Sequence, residues 1–340
     1  MAFFVPSALV KAQAKLLEKF QAGELRVADP VTYKAFLNGA PVLFPEAKML
    51  RTREDRQVDT YYALRTPRAL GSARVHNPSG ASGDSGALTL SYATSTDKFS
   101  ISMKQADNNV FTYEEMFNSK IENVIRNFSE GNEATATSYI HNNRSQVNVA
   151  VAEGTFNAGT DVFEINETAV GNRAIQITDS AMAENKYGGF TTTIFCDSIS
   201  YNKFAYLSKQ GISNATNTSF QFEGKKFVRS LGLTAKASVL GYTQGYWIVA
   251  ADGMFGALDW IPKQNREGVI KPPYSYSSLI NPVDGLNYAV FNTYIAQDSS
   301  AVGGYTQDVL MNYEFSIDLA FEKAPLSVAT EQVFQAFALV

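Results

Sequence analysis

Few residues of this chain have the types and spacing that chemistry needs. Residues 83–86 read Gly-Asp-Ser-Gly, the sequence that surrounds the nucleophilic serine of chymotrypsin-like proteases. Such a serine needs a histidine and an aspartate from separate loops earlier in the chain. The only histidine before Ser85 is His76, which lies in the same Gly/Ser-rich stretch. The pattern therefore favours a flexible polar loop over a protease.

The remaining reactive side chains are isolated from one another. His141 stands among polar residues, which predicts a solvated or cap-like histidine rather than a catalyst. Cys196 is the only cysteine, so an internal disulfide is excluded, and two histidines cannot form a His-rich metal site. Gly224-Lys225-Lys226 lacks the spacing of a phosphate loop. We expect no catalytic residue, no cofactor and no metal.

Composition narrows the class of protein. Charged residues make up 18% of the 340 residues, against about 25% in a typical soluble chain, and 12% are aromatic. The formal net charge of -4 does not provide the broad basic field of a nucleic-acid-binding protein. The N-terminus lacks a signal-peptide pattern, and no run approaches the ~20 apolar residues of a membrane span. We expect an intracellular or particle-bound protein with no membrane contact.

The first fifty residues predict a jointed helical arm. Residues 7–22 carry apolar side chains at helical spacing, with Ser7 as N-cap and Gly23 just past the end. A second helix is predicted from Pro30 to Leu37, started by Asp29-Pro30 and stopped by Asn38-Gly39.

Residues 87–109 contain two alternating apolar runs on either side of Ser-Thr-Asp-Lys at 95–98. This pattern predicts a long β-hairpin with its turn at 95–98. A two-stranded hairpin is marginally stable alone in water, so we expect this one to lie on another surface.

The clearest helix begins at Thr112. Thr112 and Glu115 have capping-box spacing, and an apolar stripe follows. The stripe consists of Phe117, Ile121, Val124, Ile125 and Phe128. Gly131 weakens the helix without ending it, so a long helix is expected.

Beyond Val147 the patterns are mainly those of strands. Residues 190–196 predict a buried strand that leads into a helix capped by Asp197 and closed by Gly211. Asp252-Gly253 predicts a type I′ hairpin that pairs 247–251 with 254–258, and Pro262 is expected to end the second strand. Long aromatic strands are predicted at 287–296 and 309–321.

One segment is locally basic. Between residues 51 and 74 there are six arginines and three acids, and the arginines are Arg51, Arg53, Arg56, Arg65, Arg68 and Arg74. Three interpretations stay open: a solvated mixed-charge loop, pairing with acids of a neighbouring chain, or phosphate contact with nucleic acid.

The order of these parts resembles that of major capsid proteins of tailed bacteriophages with the Hong Kong 97 fold. The resemblance implies an α+β fold with an N-terminal arm at 1–50 and an extended hairpin, the E-loop, at 51–111. It places a peripheral domain with a spine helix at 112–165, a mixed α/β axial domain at 166–304, and the return strand of the peripheral domain with the C-terminus at 305–340.

The same resemblance implies a function. The chain would assemble with copies of itself, as pentamers and hexamers, into an icosahedral shell around double-stranded DNA. Its place would be the virion, and the host cytoplasm during assembly. Scaffold, portal and decoration proteins are further partners, and contact with packaged DNA would be weak and non-specific. We expect subunit contacts at Arg65, Arg68, Arg74, Lys98, Trp260, Lys263 and Arg266. The alternatives are a tail-tube, sheath or decoration subunit, or an enzyme with a dispersed active site.

Overall fold

The computed structural model describes residues 4–56, 59–63, 85–102, 112–145, 154–166, 173–187, 189–209, 219–222, 224–299, 306–325 and 332–340. Helices alternate with sheets that contain both parallel and antiparallel strand pairs, which confirms the predicted α+β class. The chain forms two compact units. The first contains Met1–Arg56, Tyr92–Thr137 and Ala257–Ala320, and the second contains Gln57–Ser91, Ser138–Gly256 and Phe321–Val340.

The helices are α1 (Phe4–Gln21), α2 (Val31–Leu43), α3 (Ala47–Thr52), α4 (Tyr113–Asn142), α5 (Ala174–Met182, continued by a π-helical turn at Ala183–Tyr187), α6 (Ser198–Lys209), α7 (Leu233–Val239) and α8 (Lys263–Glu267). The strands are β1 (Asp59–Ala63), β2 (Ser85–Thr89), β3 (Tyr92–Ser102), β4 (Arg144–Ser145), β5 (Gly154–Asn157), β6 (Val162–Ile165), β7 (Thr192–Cys196), β8 (Ser219–Phe222), β9 (Lys225–Arg229), β10 (Tyr246–Ala251), β11 (Phe255–Trp260), β12 (Ile270–Lys271), β13 (Tyr274–Ile280), β14 (Asn287–Ser299), β15 (Thr306–Lys323) and β16 (Phe334–Leu339).

A six-stranded sheet has the order β11-β15-β14-β13-β12, and β3 also pairs with β15. The longest of its strands, β15, has 18 residues. It pairs with β14 from Ala289↔Ser316 to Ser299↔Thr306, and with β3 from Tyr92↔Ala320 to Ser102↔Leu310. Both long strands predicted near 287–296 and 309–321 are confirmed, and both extend beyond the predicted ends.

The 30-residue helix α4 begins as predicted. The Thr112 amide donates to Glu115 Oε2 at 2.9 Å, and the Glu115 amide donates to Thr112 Oγ1 at 3.3 Å, which together form the capping box. Its apolar stripe is buried, and the Phe117 ring centroid lies 5.9 Å from that of Phe99 and 4.9 Å from that of Tyr313. Helix α4 therefore packs on β3 and β15 and continues through Gly131, as expected.

The second unit contains an eight-stranded mixed sheet with the order β5-β6-β16-β10-β7-β9-β8, in which β4 also pairs with β16. Trp247 on β10 is fully buried at its centre. The Trp247 ring contacts those of Phe204 and Phe337, and its Nε1 donates to Thr178 Oγ1 at 3.2 Å. The indole thus packs in the core and still satisfies its donor.

The predicted strand and capped helix at 190–211 are confirmed in their main features. All five residues of β7 are buried, and Asp197 Oδ1 accepts from the Ser200 amide at 2.6 Å at the start of α6. Strand β7 begins at Thr192, two residues later than predicted. The predicted stop at Gly211 lies outside the described residues.

The arm helices differ from the prediction at three ends. Helix α1 begins at Phe4, so Ser7 lies inside it and is not its N-cap, because Pro6 is compatible with a first turn. Gly23 has φ 71° just past the end, as predicted. Helix α2 begins after Pro30 and runs through Asn38-Gly39 to Leu43. The predicted stop is wrong because Gly39 and Ala40 are buried, and burial outweighs the poor helix propensity of glycine.

The predicted hairpin at 87–109 is wrong. Strand β3 runs without a turn through 95–98, where each residue pairs with β15, as in Asp97↔Phe315. Strand β2 pairs instead with β1, from Asp59↔Thr89 to Ala63↔Ser85. The apolar runs alternate as predicted, but they belong to two sheets.

Asp252-Gly253 makes a turn but no hairpin, so this prediction is also wrong. Strand β10 has β7 on one side and β16 on the other, so both of its edges are occupied. Strand β11 cannot pair with it and belongs to the six-stranded sheet. Of the two turn residues only Gly253 has a positive φ, 80°, whereas a type I′ turn needs two.

The polar residues 263–267 form α8. Strand β11 ends at Trp260, and Pro262 stands at the N-cap of α8 with φ -57°. Gly268 closes the helix in the left-handed region, with φ 69°.

Candidate functional site

The reactive side chains singled out in the sequence lie apart from one another in the described residues. No group of three or more His, Cys, Asp or Glu side chains within them could hold a metal ion. Ser85 and Gly86 lie in strand β2 opposite Ala63 and Tyr62, while His76, Gly83 and Asp84 lie outside the described residues. Ser85 is therefore part of a strand, and the predicted flexible loop tip is wrong at this residue.

His141 is not solvated, contrary to the sequence prediction. The side chain is buried at the end of α4, and its Nδ1 lies 3.3 Å from the Tyr246 hydroxyl. Burial, followed by the charges of Arg144 and Lys236, lowers the pKa of His141 to about 4. The ring is neutral at pH 7, and its hydrogen bond to Tyr246 lies within the second unit.

Cys196 is fully buried on β7, and its thiol contacts the Ile194 carbonyl oxygen at 3.7 Å. Burial raises the pKa of this thiol well above its ordinary value. The thiol is thus protonated and inaccessible, which is a core role and not a reactive one.

The seven residues expected at subunit contacts lie in different surroundings. Arg65, Arg68 and Arg74 lie outside the described residues. Lys98 stands directly opposite Glu314 on the β3 and β15 pair, with its Nζ 3.3 Å from the carboxylate, and its side chain remains 66% exposed. An exposed pair of this kind contributes little to folding.

Trp260, Lys263 and Arg266 converge on the segment 51–56, which contains the last two residues of α3 and the four that follow. Trp260 Nε1 donates to the Arg53 carbonyl at 3.3 Å, and Lys263 Nζ lies 3.2 Å from Glu54. Arg266 donates to the carbonyl oxygens of both Arg51 and Arg53. The structure brings these three predicted residues together, and their described partners lie in the same chain.

Two ion pairs hold the same segment. The Arg51 guanidinium lies 2.6 Å from the Asp259 carboxylate, which is 15% exposed. Arg56 lies 3.1 Å from Asp318, and its guanidinium carbon is 5.3 Å from the centroid of the Tyr92 ring. Burial raises the pKa of Asp259, while Arg51 opposes that shift. We call Arg56, Asp259, Trp260, Arg266 and Asp318 the root clamp, because they hold the residues that precede the segment 57–91.

A buried asparagine fixes the helix that carries Arg266. Asn265 on α8 is 5% exposed, and its Nδ2 donates to the carbonyl oxygens of Ser277 at 3.0 Å and Val290 at 2.9 Å. Ser277 and Val290 are cross-strand partners on β13 and β14. One side-chain amide therefore joins α8, the helix that carries Arg266, to both strands.

The arm is held along α4 by three polar contacts. Lys15 lies 3.0 Å from Glu114, Lys19 pairs with Glu122, and the Tyr33 amide donates to Glu133 Oε2 at 2.9 Å. These contacts follow α4 from its first turn to its second half. On α1 the side chains of Val10, Leu17 and Phe20 remain 67%, 48% and 41% exposed, so the arm keeps uncovered apolar surface.

The strands β1 and β2 form a separate two-stranded sheet. Tyr61 is 77% exposed, and the Tyr62 ring lies over Gly86, where an added Cβ would come within 2.6 Å of the ring. This aromatic-over-glycine pair fixes the register. Its exposed tyrosine makes the ribbon, residues 59–63 and 85–89, a candidate surface for contact with another chain.

Comparison with known proteins gives structural likeness at low identity. A chain of Mycobacterium phage Che8 is 8% identical with a TM-score of 0.44, over 88% of this chain and 90% of that chain. The capsid asymmetric unit of cyanophage A-1(L) is 10% identical with a TM-score of 0.45, over 86% and 92%. That of cyanophage Pam1 is 10% identical with a TM-score of 0.45, over 85% and 86%. These values assign neither a family nor an activity to this chain.

No protein-family model matches the sequence, and no curated protein matches it. Within the described residues, no helix combines the length and the apolar character that crossing a membrane requires.

Sequence reasoning missed the root clamp, although it named Trp260 and Arg266. Trp260 and Arg266 donate to backbone carbonyls that lie more than 200 positions earlier in the chain. Every residue has a backbone carbonyl, so the sequence does not show which carbonyl accepts a side-chain hydrogen bond. The six-arginine stretch was the available signal, and it did not identify Asp259 or Asp318 as partners.

Proposed function

We propose that this chain is a major capsid protein of a tailed phage, with the Hong Kong 97 fold, that self-assembles into an icosahedral shell around double-stranded DNA. One observation carries the proposal. In the first unit the arm helices α1 and α2 lie along α4, and α4 packs on β3 and the late strand β15. This is the combination of arm, spine helix and return strand that the family resemblance implies.

The ribbon supports a role in contact between copies of the chain. A two-stranded sheet with an exposed tyrosine is marginally stable in water by itself. Covering Tyr61 with a second copy would bury apolar surface and stabilise both chains. Identical chains that join head to tail close into rings when the rotation permits, which gives pentamers and hexamers.

The proposal extends to the organisation of the chain. The arm is 1–50, the E-loop 51–111, the peripheral domain 112–165 with its return strand in 305–340, and the axial domain 166–304. The site of action is the virion, after assembly in the host cytoplasm. Scaffold, portal and decoration proteins are proposed partners, and contact with packaged DNA is weak and non-specific because the net charge of -4 provides little attraction for phosphate.

The contact residues divide into two groups under this proposal. Lys98 and Lys263 are 66% and 44% exposed, and they present charge at the surface of a subunit. Arg65, Arg68 and Arg74 are assigned the same role. Trp260 and Arg266 act on neighbouring subunits through the segment 51–56 that they hold.

The alternative functions predict different particles. A tail-tube or sheath subunit would form open tubes, and a decoration subunit would bind only to preformed shells. An enzyme with a dispersed active site would show activity that is lost on substitution of Ser85, His76 or His141. The long capped helix α4 favours the capsid, because tube proteins usually lack so long an early helix.

Sedimentation and negative-stain electron microscopy of the purified chain test the proposal. We expect rings or closed shells that persist on moderate dilution, because a closed shell sums many modest contacts. A sharp monomer boundary at every concentration, with no particles on the grid, would contradict it. Open tubes would favour the tube or sheath alternative.

A charge-reversal pair tests the surface contacts. Lys263→Glu should reduce particle yield severalfold while leaving the thermal midpoint of the subunit nearly unchanged, because exposed ion pairs contribute little to folding. Lys34→Glu is the matched control, since Lys34 also pairs locally, with Asp29 at 2.7 Å, and has a similar exposure. Equal particle yields from the two variants would remove Lys263 from the interface.

A further inference from the structure

Two carbonyl groups at the end of α3, those of Arg51 and the C-cap residue Arg53, receive hydrogen bonds from a distant part of the chain. A helix end leaves carbonyl oxygens without intrahelical partners, and a positive charge beside them is favourable. Arg266 supplies both, since its guanidinium donates to the carbonyls of Arg51 and Arg53, and Trp260 adds a second donor to Arg53. The segment that leaves α3 is therefore held by side chains instead of by a regular element.

The two residues that flank the segment 57–91, Arg56 and Tyr92, are in contact with each other. Arg56 is the last described residue before that segment, and Tyr92 is the first residue of β3 after it. The Arg56 guanidinium lies over the Tyr92 ring and also pairs with Asp318 on β15. Tyr92 is fixed in turn, because it pairs with Ala320 on β15.

The elements behind these contacts are bonded to the six-stranded sheet. Asn265 joins α8 to β13 and β14, and Asp259 on β11 pairs with Arg51. The groups that contact residues 51–56 thus come from α8, β11 and β15, all of which belong to a sheet or are bonded to one. Residues 52–56 stay exposed to solvent beside these contacts.

We propose that the root clamp is a positioning device that anchors Arg56 and Tyr92, the two residues that flank the segment 57–91. Arg266 is its principal positioning residue. The ribbon, residues 59–63 and 85–89, lies within the segment 57–91 that these two residues flank. Anchoring reduces the conformational freedom that the ribbon loses when it meets a second copy of the chain, which strengthens association without a new contact. This role rests on the proposed function, whereas the anchoring itself does not.

Hydrogen exchange of the unassembled subunit tests the anchoring. Arg266→Lys keeps the positive charge but lacks the planar fork that reaches two carbonyls. We expect amide protection across residues 47–56 to fall about tenfold, which corresponds to about 1.4 kcal/mol of local opening. Arg26→Lys is the control for the same chemical change at an exposed arginine of the arm, and it should leave exchange in 47–56 unchanged. Unchanged protection in Arg266→Lys would overturn the clamp.

A second variant covers the case in which Arg266→Lys destabilises the subunit. Arg56→Gln removes the ion pair with Asp318 and the contact with Tyr92 from a side chain that is 41% exposed, so the fold should persist. We expect faster exchange at 47–56 and at the start of β3, with the thermal midpoint nearly unchanged. If the amides of residues 47–56 and of the start of β3 exchange as slowly in this folded variant as in the wild type, the proposal is also overturned.

Assembly is measured on the same samples. If exchange rises and shells form in lower yield or with irregular outlines, the positioning role is supported. If exchange rises and normal shells form at the wild-type yield, the positioning role is overturned. If the wild type forms no shells, the proposed function fails, and the exchange result still decides whether the clamp anchors Arg56 and Tyr92.

Discussion

The hydroxyl groups of Tyr113 and Tyr313 lie 2.6 Å apart, which joins the first residue of α4 to the middle of β15. Tyr313 is 2% exposed, and burial raises the pKa of both hydroxyls, so each stays protonated. The contact fixes where the spine helix begins on the sheet. Its neighbours are aromatic, since the Tyr313 ring lies 5.1 Å from Phe99 and 4.9 Å from Phe117.

A double-mutant cycle measures this contact. Tyr313→Phe should lower the free energy of unfolding by about 1 kcal/mol, because it leaves the Tyr113 hydroxyl without its partner. The double variant, Tyr113→Phe with Tyr313→Phe, should be at least as stable as the less stable of the two single variants. In the double variant neither hydroxyl is left without its partner. Urea denaturation monitored by circular dichroism provides the values. Strictly additive losses would show that the two hydroxyls are not coupled.

The capping box supports a second prediction. Thr112→Ala removes the hydroxyl that accepts from the Glu115 amide and should cost about 1 kcal/mol of stability. Thr112→Ser retains the oxygen and should leave the stability nearly unchanged, because serine is at least as good an N-cap as threonine. The difference between their urea midpoints is the measurement. Equal midpoints would mean that the side-chain oxygen at this N-cap adds nothing.

Gly131 supports a stabilising substitution. It lies inside α4, and nothing is within 4 Å of an added Cβ. Gly131→Ala should raise the free energy of unfolding by about 0.5–1 kcal/mol, because alanine restricts the unfolded chain and has the higher helix propensity. Gly268→Ala is the matched control. It also has open space, but its φ of 69° makes alanine strained, so it should destabilise.

Signals that act over a few residues were readable in the sequence. The Thr112 and Glu115 capping box and the Asp197 cap each span three positions, and each has the predicted hydrogen bonds. Their physical cause is local, because a side chain satisfies the free amides of its own helix. The presence of both helices and strands follows from local periods of apolar residues, whereas the α+β class was what the family resemblance implied.

Strand partners were not readable, because they depend on which edges are free. Residues 95–98 have turn composition, yet they continue as strand because β15 supplies a ladder more than 200 residues away. Asp252-Gly253 has hairpin composition, yet β10 has no free edge left for β11. The partners of Arg266 at the candidate site could not be predicted either. They are backbone carbonyls, which every residue has, so the sequence does not distinguish them.

The turn between β13 and β14 supports a pH prediction. Asp284 accepts from the Tyr288 hydroxyl at 2.6 Å and from the Leu286 amide at 3.0 Å. Burial raises the pKa of Asp284 from 3.8 to about 6, against the opposing effect of these hydrogen bonds. The folded chain therefore holds a proton that the unfolded chain releases between about pH 4 and pH 6.

Stability should fall as pH rises through this window. The folded state binds more protons than the unfolded state there, so the free energy of unfolding decreases with pH and levels off above about pH 7. The Asp284 contribution is about 1–3 kcal/mol, because one pKa unit corresponds to about 1.4 kcal/mol. Glu133 and Asp259, whose pKa values burial also raises, contribute with the same sign.

Asp284→Asn isolates the effect of one carboxyl. The amide oxygen can still accept from Tyr288, while the titrating group is removed. Urea denaturation at intervals between pH 4 and pH 7 should show a flatter profile for this variant than for the wild type. Glu133 and Asp259 remain in both chains, so their contributions cancel in the comparison. If the two profiles run parallel, Asp284 does not carry a raised pKa in the folded state.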